Sequence, residues 1–206
     1  MKSAETFWDK AAAHYAKSPI RDEASYQKKL AITREYFQPD WSVLEFGCGT
    51  GGTAILHSPY VRDILATDIS KNMLEIAQTK AADAGIGNIR FQQGTLDSLP
   101  LAPGSFDAVL GLNILHLLED PDAAIGRVSS LLKPGGIFVA NTVLAADLKL
   151  HWRLLIPLMQ ALGFAPHVSR FAKDELLAML MRAGLEMDYE WQPDSFSVFM
   201  IARKRT

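Results

Sequence analysis

From residue 41 onward, short apolar runs alternate with segments whose apolar residues recur at helical spacing. Val43-Leu44-Glu45-Phe46 reads as a first strand and Ile64-Leu65-Ala66-Thr67 as a second. Between them there is room for a short helix over 52–58, stopped near Pro59. Ser70 is placed to cap the next helix, in which Met73, Leu74, Ala77 and Ala81 fall on one face and which Gly85 can end. Ile89-Arg90-Phe91 is a short third strand, and Phe106 to Leu110, preceded by Pro103-Gly104, is a fourth. Asp120-Pro121 opens a helix with Ala124, Ile125, Val128, Leu131 and Leu132 at its apolar positions, and Lys133-Pro134-Gly135-Gly136 ends it. Ile137 to Ala140 is a fifth strand, and Lys173 to Ala183 is a helix closed by Gly184. Two strand-like runs follow, Leu185 to Trp191 and Ser197 to Arg203. The turn between them, with Pro193-Asp194, is short enough to make them antiparallel.

Strands alternating with helices predict βαβ units. The fold class expected is α/β: a Rossmann-like three-layer sandwich with a mostly parallel seven-stranded sheet, one antiparallel edge strand, and N-terminal helices. Residues 1–206 read as a single domain. Within it, residues 1–40 form a helical cover, with two helices over 5–37. Residues 144–171 form an insertion whose helical stretch, His151 to Leu162, is interrupted by Pro157. Insertions of this kind form lids or substrate walls.

Composition narrows the partners. The chain has 206 residues, 49% hydrophobic and 21% charged, with a formal net charge of −2. A domain that grips phosphate backbones is usually more basic, so nucleic acid is not favoured. The lone cysteine, Cys48, allows no internal disulfide, which agrees with a cytoplasmic setting. Met1 to Lys10 has no apolar core of a secretory leader. No apolar run approaches the roughly 18 residues that span a bilayer, so stable membrane insertion is not expected. Oligomeric state is not legible.

The strongest local signal is Gly47-Cys48-Gly49-Thr50-Gly51-Gly52, directly after the first strand. Glycines let the chain turn sharply and let a ligand approach the backbone, and the following helix presents unpaired N–H groups. Asp68, at the end of the second strand, puts a carboxylate beside this loop, suited to the ribose hydroxyls of a nucleoside. It could also cap the helix that follows. The G-x-G-x-x-G spacing alone fits an NAD-type dehydrogenase equally well. The acidic Glu45 just before the loop and the C-terminal pair of strands oppose that reading. A third reading is a catalytically silent module that keeps the cofactor fold.

Five ordered segments make a more specific pattern. These are Val43 to Gly51, Ala66-Thr67-Asp68-Ile69-Ser70, Gly94 to Pro100, Ser105 to Val109, and Leu132 to Gly136. Together, over roughly residues 40–142, they resemble the class I S-adenosylmethionine-dependent methyltransferases, in the small-molecule branch that includes quinone-biosynthesis methyltransferases. The resemblance implies S-adenosylmethionine as cofactor and a small-molecule methyl acceptor. It implies that Gly47, Gly49 and Gly51 approach the methionine portion and ribose. Glu45 would order the loop and the ligand's ammonium group, and Asp68 would hold the ribose hydroxyls. Ile69 and Met73 would wall the adenine. Asn113 would line the methionine end, and Tyr15 in the N-terminal helix would close over its carboxylate. In the loop after the third strand, where the family often has an acid, this chain has Thr95, with Leu96 beside it and Asp97 two positions on. That departure bears on recognition of the adenine amino group.

Methyl transfer from a sulfonium is an in-line displacement in which charge disperses. Alignment and water exclusion can therefore carry it without a dedicated acid, and orientation alone can lower a barrier by roughly 7–11 kcal/mol. His116, beyond the fourth strand, is the one candidate base, a packed wall residue being the commoner alternative. His151 and His167 flank the insertion and are more simply surface or packing residues. His14 and His57 offer no better case, and no metal-ligand spacing is present. Cys48 reads as a small packing residue. The apolar insertion, with Trp152, Leu154, Leu155, Ile156, Leu158 and Met159, reads first as core packing, then as a wall for a small organic acceptor of apolar character, and least as a membrane-surface contact, for which Lys149 and Arg153 are few basic residues.

Overall fold

The computed structural model describes residues 4–147, 155, 159–160 and 165–205. His151, Trp152 and most of the expected helix over 151–162 lie outside the described residues. The elements run α1 (Ala4–Lys17), α2 (Glu23–Tyr36), β1 (Ser42–Phe46), α3 (Gly52–His57), β2 (Asp63–Asp68), α4 (Lys71–Asp83), β3 (Ile89–Gln93) and β4 (Phe106–Leu112). They continue with α5 (Pro121–Leu131), β5 (Leu132–Val143), α6 (Lys173–Arg182), β6 (Leu185–Asp194) and β7 (Ser197–Lys204).

Seven strands form one sheet in the order β3-β2-β1-β4-β5-β7-β6. β1 to β5 are parallel, and β7 is antiparallel to both β5 and β6. The antiparallel strand thus stands one place in from the edge, with β6 outermost. Because side chains alternate across a strand, the apolar runs feed two cores. Leu44, Phe46, Val109, Phe138, Ala140 and Met200 pack under Ile125 and Val128 of α5 and Leu176 and Leu180 of α6. Val43, Leu110, Val139, Phe199 and Ile201 face Ala54 of α3 and Leu74 of α4, with Ile32 and Tyr36 of α2 against them. This gives the three layers expected.

The helix starts follow from their caps. Ser70 accepts the Met73 N–H at 3.1 Å and Asp120 accepts the Ala123 N–H at 2.9 Å, with Pro121 at the first helical position of α5. Each such cap contributes about 1 kcal/mol. One boundary differs from expectation. The Lys133-Pro134-Gly135-Gly136 stretch belongs to β5, because Leu132 already pairs with Phe106 before the ladder shifts and Ile137 takes up pairing with Ala108. Asp107 secures the irregularity: its carboxylate accepts from Lys133 Nζ at 2.8 Å and from the Ser42 N–H of β1 at 2.8 Å. Among the described residues, no helix is long and apolar enough to cross a membrane.

The strand order reverses between β1 and β4. In an open parallel sheet, the crevice at the carboxyl ends of the strands at such a reversal is where ligands bind.

Candidate functional site

Gly47, Gly49 and Gly51 all take the left-handed conformation, at φ +66°, +54° and +72°. Gly51 has a second constraint, because a Cβ there would come within 2.8 Å of the Ala77 Cβ on α4. At Gly49 the nearest atom to such a Cβ would be a Tyr15 ring carbon, 3.7 Å away. The space over Gly49 is therefore open apart from Tyr15, which suits close approach of a ligand to the main chain. The Cys48 N–H donates to the Thr67 carbonyl at 3.0 Å, tying the loop to β2. Cys48 itself is buried, and burial, then Glu45 and Asp68, raise its thiol pKa well above normal. That is the environment of an inert packing thiol.

Two carboxylates meet behind the loop. Asp68 Oδ2 accepts from the Gly49 N–H at 2.9 Å and Oδ1 from the Ser70 N–H at 2.9 Å. It therefore braces the loop and the start of α4 at once, and each oxygen keeps a second lone pair. Burial, the largest influence, holds its pKa above the usual carboxylate range although those N–H bonds pull the other way. Glu45 is only 3% exposed. Burial and then the neighbouring Asp68 push its pKa up to about 8, and its Oε2 has no hydrogen-bond partner. An orphaned buried carboxyl oxygen costs folding free energy of roughly 1–3 kcal/mol or more, so a partner supplied by a ligand is the natural completion.

The N-terminal helices roof this pair. Asp9 of α1 accepts from the Ser70 hydroxyl at 2.6 Å and the Asn72 N–H at 3.2 Å, and Asn72 Nδ2 returns a bond to the Asp9 carbonyl at 3.0 Å. The Ser70 bond, first among these contacts, lowers the Asp9 pKa. Farther along α1, Tyr15 stands over Gly49 and keeps half its surface exposed; burial of the rest, then Asp68 and Glu45, raise its phenol pKa. From α2, the Tyr26 hydroxyl lies 3.2 Å from Thr53 Oγ1 at the start of α3. Its pKa is raised by burial, with Glu45 among the charges acting on it.

The loops after β3 and β4 close the sides. The Thr95 hydroxyl accepts the Ser98 N–H at 3.1 Å, and Ser98 Oγ accepts the Thr95 N–H at 2.8 Å. Thr95 is thus occupied in a local turn where an acid is common. Leu96 is buried, and its carbonyl accepts from Arg127 Nε at 3.4 Å. Ile69 is partly exposed, whereas Met73 is only 2% exposed and gives a ligand little surface. Beyond β4, Asn113 has φ +57°, the one positive-φ non-glycine among the described residues. Such a conformation is tolerated by asparagine better than by most side chains. Ile114 beside it packs against the glycine loop, where a Cβ on Gly47 would strike its side chain at 2.8 Å.

His116 is held from β5. Its Nδ1 lies 3.2 Å from Thr142 Oγ1 and accepts from the Val143 N–H at 3.4 Å. Burial lowers its pKa to about 4. The ring is therefore neutral near pH 7, with Nδ1 already engaged, which makes it a poor proton acceptor there. His167 bonds Ser169, and His57 is buried with its pKa lowered to about 3, first by burial and then by Arg34. Among the described residues, no group of three or more His, Cys, Asp or Glu side chains could hold a metal ion.

The structure thus places Glu45, Gly47, Gly49, Gly51, Asp68, Ile69 and Asn113 at or just beyond the carboxyl ends of β1, β2 and β4, with Tyr15 over Gly49, Thr95 and Leu96 in the loop after β3, and Met73 buried in α4. Tyr26, Asn141 and Thr142 were not singled out in the sequence. For Asn141 a signal existed: a polar residue directly after the apolar run of β5.

A family model described as a methyltransferase domain matches residues 43–136. The uncharacterized methyltransferase YcgJ of Bacillus subtilis is 35% identical over 135 residues, covering 66% of this chain and 53% of that protein. The uncharacterized protein YafE of Escherichia coli is 31% identical over 149 residues, 71% of each chain. The ubiquinone/menaquinone biosynthesis C-methyltransferase UbiE of a Shewanella species is 31% identical over 115 residues, 54% of this chain and 46% of that one. The chain therefore spans about half the length of YcgJ and UbiE. The crystal structure of the B. subtilis YcgJ protein superposes with a TM-score of 0.73 at 23% identity, over 87% of this chain and 99% of that one, which establishes likeness of fold.

Proposed function

Because this chain belongs to the class I S-adenosylmethionine-dependent methyltransferases, we propose that it transfers a methyl group from S-adenosylmethionine to a small organic acceptor. The observation that carries the reading is the open glycine loop flanked by Asp68 and by Glu45, whose buried Oε2 lacks a partner. These residues fit the cofactor: a carboxylate at the end of β2 for the ribose, and an unsatisfied acid and an uncluttered backbone for the amino-acid end. When bound, the cofactor supplies a methyl group already activated by its positive sulfur.

The chain's own residues bind, orient and exclude water. Gly47, Gly49 and Gly51 let the main chain come close. Glu45 offers its free oxygen to an ammonium group, and Asp68 uses its remaining lone pairs on the ribose hydroxyls. Ile69 and Leu96 border the base, with Thr95 taking the place of the acid common at that loop. Asn113 borders the methionine end. Tyr15 and Tyr26 flank it from α1 and α2, and with a ligand bound they would help to exclude solvent there. His116 stays neutral and holds the wall, so the reaction needs no base from it; alignment does most of the work.

The acceptor is proposed to be a small molecule with apolar character, in keeping with the apolar composition of the 144–171 insertion and with the name of UbiE. The lone, buried Cys48 supports a cytoplasmic setting. Calorimetric titration with S-adenosylmethionine, S-adenosylhomocysteine and NADH tests the reading. Micromolar binding of the adenosyl compounds without NADH binding is expected, and binding of NADH alone would replace it with a dehydrogenase. Transfer of labelled methyl groups to fractionated small-molecule extracts then identifies the acceptor.

A further inference from the structure

Asn141 stands at the carboxyl end of β5, after the apolar run Ile137 to Ala140, and is 5% exposed. Its Nδ2 donates to Asn113 Oδ1, while its own Oδ1 is buried without a partner. A side chain kept in a core strand with half its amide unsatisfied is not there for stability, since an apolar residue of similar size would carry no such penalty. What the amide does is hold Asn113. The main chain adds a second tie, the Asn113 N–H to the Asn141 carbonyl at 2.6 Å, just beyond the point where Leu112 pairs with Asn141 in the ladder. The next residue, Thr142, points to the opposite face and contacts His116 at 3.2 Å. The end of β5 therefore grips the loop 113–116 from both sides of the sheet.

We propose that Asn141 is a positioning residue that fixes the amide of Asn113 for the methionine end of the cofactor. With Asn113 Oδ1 committed to Asn141, the Nδ2 group of Asn113 is the half left to meet a ligand. The crevice thus presents a fixed N–H donor there, matched to a carboxylate rather than to a cation. The inference rests on the methyltransferase reading.

The test is calorimetry with S-adenosylhomocysteine on the full chain, together with thermal unfolding, for wild type, Asn113→Ala, Asn141→Leu and the double variant. Asn141→Leu is expected to unfold no earlier than wild type yet to bind about tenfold more weakly. The double variant is expected to bind no more weakly than Asn113→Ala alone, because the effect passes through Asn113. Should Asn141→Leu fail to fold, Asn141→Asp keeps the size but faces Asn113 Oδ1 with an oxygen, and the same weakening is expected. Unchanged affinity in the folded Asn141 variant, or losses that add in the double variant, overturns the proposal. Absence of binding by wild type would instead overturn the methyltransferase reading, and this inference with it.

Discussion

Glu45→Gln separates the two things a buried acid can do. The carboxyl group is 3% exposed, and burial with Asp68 nearby raises its pKa from 4.5 to about 8. A rise of that size corresponds to about 5 kcal/mol of differential stabilisation between the two protonation states. The sign follows from which state binds more protons. Between pH 4.5 and about 8 the folded chain keeps a proton on Glu45 that the unfolded chain has lost, so this group lowers stability steadily as pH rises through that window. Below the window it costs nothing through ionisation, and above it the full cost is present. Glu45→Gln removes the titration. The gap in unfolding free energy between variant and wild type should therefore widen in the variant's favour from pH 5 to pH 8, by about 3.5 kcal/mol. For a domain of this size that is roughly 10 °C in melting temperature. Cofactor binding should move oppositely. An ammonium group beside Glu45 favours its ionised form, so wild type should release close to one proton on binding near pH 7, and its affinity should rise about tenfold per pH unit up to about 8. Unfolding curves at a series of pH values, and titrations in buffers of different ionisation enthalpy, measure both. Parallel stability curves for the two proteins, or binding without proton release, would refute the reasoning.

Other substitutions address neighbouring parts of the cradle. Asp68→Ala removes the acceptor for the Gly49 and Ser70 N–H groups; we expect S-adenosylmethionine to bind at least tenfold more weakly and urea unfolding to show a loss of about 1–3 kcal/mol, and an unchanged dissociation constant would remove Asp68 from the ribose site. Gly49→Val strains a backbone at φ +54° and fills the space over the loop, so binding should vanish from a protein that still folds by circular dichroism; a folded variant that binds would mean the loop is not the cradle. Asp9→Ala breaks the tie of α1 to Ser70 and Asn72 and should speed S-adenosylhomocysteine release severalfold in stopped-flow measurements for about 1 kcal/mol of stability, whereas an unaltered release rate would show that α1 is no roof.

Much of the fold was legible because parallel strands buried on both faces must be apolar in short runs, and caps such as Ser70 and Asp120 fix where helices begin. The start of β5 was not, since Pro134 and two glycines read as a loop and only the bulged pairing with β4 draws them into the strand. Within the site, the glycine loop, Glu45 and Asp68 are set by local chain geometry and stood out in the sequence. Tyr26 and Asn141 reach it from α2 and β5, far along the chain, and only the packed sheet brings them there. Likewise, the place of His116 beyond the fourth strand left both a base and, as the commoner case, a packed wall residue open. Its engagement by Thr142 and Val143 depends on the partner strand, which spacing does not reveal.

The placement of β7 between β5 and β6 has a consequence for how the chain acquires its shape. β6 is synthesised before β7 yet lies outside it, so β6 has no neighbour in the sheet until β7 has arrived. Until then β5, with Ile137, Phe138 and Val139 fully covered in the finished protein, offers an unpaired apolar edge. Such an edge can recruit other chains while it waits. During synthesis the nascent sheet is therefore open on its β5 side until about Lys204 has left the ribosome, and this is the interval in which a chaperone or a high expression temperature should matter most to the yield of folded protein.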